Sequence, residues 1–123
     1  NNNGGYNNGG YNNGSNNNGN YNRYRAPMAG YQFTQLLEAV RGKWFQNNKV
    51  SSEKDAFNTT GNYFSTYQVR QLLQLINSEN NRLELAELSY RTVSDAGNFT
   101  QLYDLFSQSN RNELDRFIRG TRY

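Results

Sequence analysis

The sequence contains no cysteine and no histidine, and only one proline, one methionine and one tryptophan. Without cysteine there is no disulfide framework, thiol nucleophile or iron–sulfur ligation; without histidine the commonest zinc ligand and the commonest general base are missing. Most standard active sites are excluded by these two absences. Long apolar runs are also missing: no stretch approaches the roughly 18 residues of a transmembrane helix, and no basic, apolar, small-residue leader is visible. The chain begins with Asn rather than Met, as a processed form or a fragment does, and earlier removal of a secretory leader is compatible with that start. Charge of one sign is scarce as well. Thirteen Lys and Arg against ten Asp and Glu leave a formal charge of +3, which is not the excess of a nucleic-acid-binding domain.

Apolar residues make up 34% of the 123 positions and mean hydropathy is −1.05, against roughly 45 to 50% apolar usage in ordinary globular chains. The shortfall is local. Every acidic residue lies after Tyr31, and before it the only charges are Arg23 and Arg25, set among Asn, Gly and Tyr. This first segment has a period of five: Gly4-Gly5-Tyr6-Asn7-Asn8, Gly9-Gly10-Tyr11-Asn12-Asn13, Gly14-Ser15-Asn16-Asn17-Asn18 and Gly19-Asn20-Tyr21-Asn22-Arg23. Each copy is entered through an Asn-Gly step, the dipeptide best suited to the positive φ angles of a type I′ turn. With no aliphatic side chain to bury and much glycine entropy to lose, residues 1–29 are expected to form an extended or disordered low-complexity tail. Two roles are open for it. It is a flexible spacer, or it is an adhesive segment in which regularly spaced aromatics stack on a neighbouring subunit, a sugar or a base.

From position 30 to 123 the period becomes helical, and one template repeats. Phe33, Leu36, Leu37 and Val40 sit at i, i+3, i+4 and i+7; Val69, Leu72, Leu73 and Ile76 repeat the spacing, and Phe99, Leu102, Tyr103 and Phe106 repeat it again. Each is followed by an Asn-rich link (Asn47-Asn48, Asn80-Asn81, Asn110-Arg111-Asn112) and a second apolar stretch. The pattern predicts an all-α domain of about six short helices, arranged as three consecutive helical hairpins. Ser65 with Gln68 and Asn110 with Glu113 read as capping boxes, Asp95 as the N-cap of the fifth helix, and Gly61 and Gly120 as helix ends. The expected core contains Phe33, Leu37, Leu72, Leu73, Leu85, Leu88 and Phe106. The fourth helix, apolar on more than one stripe, is expected to be the most buried and to lie at its centre.

Three runs carry a likeness to a known family: FTQLLEAVRGKWFQNNKV, YFSTYQVRQLLQLINSENNRLELAELSYRTVSDAGNF and LYDLFSQSNRNELDRFIR. The chain resembles the DUF4476 family, helical domains of unknown function found in secreted or envelope proteins of bacteria. The likeness runs from about Phe33 to Arg119 and is most specific over Phe64 to Val69, Arg82 to Tyr90 and Asp95 to Phe99. It implies an all-α fold and an extracellular or cell-envelope location. The family has no established catalytic or binding residues, so the resemblance transfers none. The Trp of Lys43-Trp44-Phe45 is not part of the family's pattern.

No catalytic, cofactor-binding or metal-binding residue is expected, and the chain reads as a non-enzyme. Glu84 and Glu87 are the nearest approach to an acid/base pair, but Glu87 is more simply an ion-pair partner of Arg91 on a wet face. Arg82 and Asp95 are candidates for a structural salt bridge between hairpins. Trp44 and Phe45 either close the open end of the core, the expected fate of large aromatics, or stand exposed beside Lys43 as a ligand platform. The residues expected to contact a partner are Tyr6, Tyr11, Tyr21, Arg23, Tyr24, Arg25 and Trp44. The favoured reading is an extracytoplasmic interaction or structural module whose tail tethers it or drives assembly, in a filament or other homo-oligomer. The partner would be protein, a second copy included, and glycan is admissible; nucleic acid is disfavoured, since only two arginines lie in the tail. Nucleic-acid or polysaccharide binding through the tail is the alternative. A carboxylate-only hydrolase comes last.

Overall fold

A computed structural model describes residues 25–121. Among them the chain forms six helices and no β-strand: α1 (Gly30–Arg41), α2 (Gln46–Asn58), α3 (Thr66–Leu73), α4 (Glu79–Ser89), a 3-10 helix (Ala96–Leu105) and α5 (Gln108–Thr121). A single 3-10 turn, Tyr90–Thr92, extends α4. The all-α class and the helix number follow the sequence pattern.

Several local expectations are corrected. The Asn-rich stretches assigned to links are the first turns of α2, α4 and α5, so the true links are shorter and lie earlier. Asparagine is tolerated there because the first four N–H groups of a helix have no intrahelical partner to lose. Ser65 and Gln68 do form a reciprocal capping box at α3. At α5, however, the cap is Ser107, whose hydroxyl accepts from the Asn110 N–H at 3.4 Å, and Asn110 points elsewhere. Gly61 adopts φ +93° in the turn after α2, a conformation that strains any residue with a Cβ, whereas Gly120 lies inside α5. The fifth helix is 3-10 over ten residues, longer than such runs usually are. Its composition explains this. Gly97, Asn98 and Thr100 are weak α-formers, and Phe99, Leu102 and Leu105 recur every three residues, the spacing that a three-residue turn stacks on one face.

The six helices pack around α4, which touches α2, α3 and α5, while α1 leans on α2 and α3, and the 3-10 helix on α3. The central place of α4 is as expected, but it is not the most buried element. Its Leu83 and Leu88 are half-buried, whereas α3 buries Thr66, Val69, Leu72 and Leu73 outright. The remaining expected core residues, Phe33, Leu37, Leu72, Leu73, Leu85 and Phe106, are buried. A residue outside any helix joins the layers. Phe64 is fully buried, its ring meeting Phe33 at 6.5 Å and Phe57 at 5.3 Å edge-on. Its backbone forms a one-residue parallel bridge to Val93, accepting from the Ser94 N–H at 2.8 Å and donating to the Thr92 carbonyl at 2.9 Å.

Candidate functional site

Polar side chains of the second half act on backbone. Asp95 does not cap the 3-10 helix by its side chain in the expected manner; its carboxylate reaches the start of α3 instead, accepting from the Thr66 N–H at 2.7 Å and the Thr66 hydroxyl at 3.0 Å. Burial opposes its ionisation, but hydrogen bonds from Asn98 and Thr66 outweigh that and hold the carboxyl below the usual Asp range. Arg82 forms no salt bridge with Asp95. Its guanidinium donates to three carbonyls, Ile76 at 2.9 Å, Leu105 at 2.7 Å and Asn77 at 3.2 Å, tying the end of α3 to the end of the 3-10 helix. Glu79 accepts from the Ser107 N–H at 2.7 Å and the Asn110 amide at 2.6 Å, joining the starts of α4 and α5. Arg111 donates to Tyr103 and Phe106 carbonyls at 2.8 and 3.0 Å. All four are bracing residues, and sequence spacing could not have shown this because each bond spans elements or the residues between them.

A cleft of about 610 Å³ opens between α2, α4 and α5, lined by Lys54, Asn58, Glu84, Glu87, Leu88, Arg91 and Phe117. The expected Glu87–Arg91 ion pair is not formed; the pair in the cleft is Lys54–Glu84 at 3.2 Å. Burial raises the Glu87 carboxyl above its ordinary value, and the neighbouring carboxylates of Glu113 and Glu84 add to the shift. Glu84 is thus paired with a lysine, while Glu87 is the partly desolvated acid. Among the described residues no group of three or more acidic, His or Cys side chains could hold a metal ion. No helix there is long and apolar enough to cross a membrane.

The second feature is the turn between α1 and α2. Trp44 and Phe45 do not close the core: they are 93% and 69% exposed. The reason is geometric. Gly42 ends α1 and α2 begins at Gln46, so the link is too short to fold both rings back beneath the helices. Of the other residues expected to meet a partner, Arg25 sits at the opposite end of α1, its guanidinium 5.3 Å from the centre of the Tyr63 ring and its carbonyl bonded by the Ser94 hydroxyl. Tyr6, Tyr11, Tyr21, Arg23 and Tyr24 lie outside the described residues. The structure does not bring Arg25 and Trp44 together.

A third feature is absent from the expectations drawn from the sequence. Glu53, on the inner face of α2 beside Val50, Ala56 and Phe57, is fully buried, and neither carboxyl oxygen has a hydrogen-bond partner among the described residues. Desolvation pushes its pKa up to about 8, only partly countered by Lys49 one turn away. Its position three residues after Val50 and before Ala56 was the available clue.

Fold and surface together define a small helical domain stitched by side-chain-to-backbone bonds, with its unsatisfied chemistry concentrated in the first hairpin. Residues 27–118 match the family described as "Domain of unknown function (DUF4476)", and the chain belongs to that family. No curated protein and no solved structure matches it.

Proposed function

We propose that the chain is a non-enzymatic, extracytoplasmic interaction or structural module, its helical domain supplying a folded docking unit and residues 1–29 acting as tether or assembly segment. The observation that supports this most is the set of large aromatics held in solvent on an ordered framework: Tyr31, Trp44, Phe45 and Tyr67. Exposed rings of this kind favour contact with another surface, and repetition of tyrosine every five residues in the tail favours many weak contacts over one strong one. The extracytoplasmic part of the reading rests on the family resemblance.

The test is to remove residues 1–24, which leaves Arg25 against Tyr63 and Ser94, and separately to change Tyr6, Tyr11 and Tyr21 together to Ser. Both variants should melt as the parent does, while oligomers or filaments seen by light scattering or electron microscopy disappear. A full-length protein that stays monomeric at high concentration and on every surface tried would remove the assembly role.

A further inference from the structure

We propose that the α1–α2 turn, from Arg41 to Lys49, is a docking surface for an anionic lipid bilayer, with Trp44 and Phe45 entering the headgroup region. The two rings are adjacent and exposed, Trp44 almost wholly, and neither lines the cleft between α2, α4 and α5. A peptide or sugar site usually supplies walls around its aromatic platform; a bilayer supplies them itself.

The turn is held open by design of its backbone. Gly42 N–H donates to the Glu38 carbonyl at 2.9 Å and Lys43 N–H to that of Val40 at 3.1 Å. The Lys49 ammonium closes the end of α1, donating to the Arg41 carbonyl at 2.7 Å and the Val40 carbonyl at 3.3 Å. The Phe45 carbonyl accepts from Asn48 and Lys49 N–H at 3.0 and 3.1 Å. The Gln46 amide clasps the segment after α3, donating to Leu75 at 3.3 Å and accepting from the Asn77 N–H at 2.8 Å. Presenting two large rings on a fixed turn keeps apolar area in water with no return in core packing, and it leaves little ordering entropy to lose on binding.

Charge selects the occupant. Between positions 39 and 52 there are three cations, Arg41, Lys43 and Lys49, and no acid. Of the flanking acids, Glu38 pairs with Arg41 and cancels that cation, and Glu53 is buried with its carboxyl pushed up to about 8, so Lys43 and Lys49 carry the charge of the turn. Along the whole chain, residues 1–52 hold five cations and one acid, whereas residues 53–123 hold eight cations and nine acids. The excess of cations therefore lies in the part of the sequence that contains Trp44 and Phe45. A second copy's tail, with two arginines and no acid before Tyr31, has the same sign as this turn and does not complement it. An interface of anionic headgroups does, and Trp, Phe and Lys are the side chains that settle there.

Trp44 is the single tryptophan, so its fluorescence reports this site alone. The full chain is titrated with phosphatidylcholine vesicles, with and without phosphatidylglycerol. Emission should shift to the blue and become shielded from acrylamide with the anionic vesicles only, and salt should reverse it. Lys43→Gln should lower the partition coefficient about fivefold. Phe45→Ser, which keeps the reporter, should lower it about tenfold or more. Arg116→Gln, on α5, and the triple tyrosine-to-serine tail variant should bind as the parent does. An unmoved emission overturns the proposal, as does a shift indifferent to lipid charge or to Phe45→Ser. A shift with protein concentration alone assigns the turn to a second copy, and an equal shift with soluble heparin assigns it to polyanions in general; either result removes the bilayer. The proposal stands apart from any role of the tail in assembly.

Discussion

The first hairpin and the rest of the domain are built by different means. The N-caps of α1 and α2 are Ala29 and Phe45, neither of which gives a side-chain cap, and α2 buries a carboxyl without a partner among the described residues while the turn between them exposes a tryptophan. Beyond Phe64, caps at Ser65, Ser78 and Ser107 are joined by the cross-ties of Asp95, Arg82, Glu79 and Arg111. The first hairpin has packing and the ties of Gln46 and Lys49 but no N-cap side chain, whereas the rest has packing, caps and four cross-ties. Departures from local rules collect where a protein has another use for the residues, and the first hairpin holds both the unpartnered carboxyl and the exposed Trp44 and Phe45.

The largest expected effect tests Glu53. Its ordinary value is 4.5 and its folded value about 8. Below 4.5 both states are protonated and no penalty exists; between the two values the unfolded chain releases the proton that the folded one keeps, so stability falls as pH rises and levels off above about 8. At ~1.4 kcal/mol per unit the loss is roughly 3 to 5 kcal/mol. Urea midpoints at pH 5 and pH 8 should show it, and Glu53→Leu should remove most of the slope and be the more stable protein at pH 8. An unchanged slope in that variant would mean that the first hairpin is not the base-sensitive part.

Next in size is the polar frame. Asp95→Ala should cost about 1.5 to 3 kcal/mol at neutral pH, with faster amide exchange at Thr66. The pH dependence has the opposite sign. The Asp95 brace is present above the ordinary value of 3.8 and is lost as pH falls through the lowered folded value, so acid loosens the second part and base the first. Hydrogen exchange at both extremes would blur the comparison if the same amides opened in each.

The smallest effect is on the exposed turn. Trp44→Ser should change thermal stability by no more than about 0.5 kcal/mol, because a side chain that is 93% exposed contributes almost no packing. A clear drop in melting temperature would place the ring in the core after all.

Much of the fold was legible because helical periodicity is local. The first template of i, i+3, i+4 and i+7 lies wholly on α1, the second and third lie on α3 and the 3-10 helix except for Ile76 and Phe106, which follow those helices' ends, and six of the seven expected core residues are buried. Leu88 is the exception, half-buried where it lines the cleft. The Ser65–Gln68 box was equally readable, being complete within four residues. Phe64 was not, because a core residue in an irregular segment has no period to betray it.

By itself, then, the sequence determined the class, the helix number, the amphipathic faces and the break in composition before the first helix. Each follows from what a residue and its near neighbours prefer. Tertiary structure alone decided that Phe64 joins the layers, that Asp95 reaches back to α3, that Glu53 lies without a partner and that Trp44 faces water. Those four depend on which groups from distant positions meet, or fail to meet, once the helices have packed.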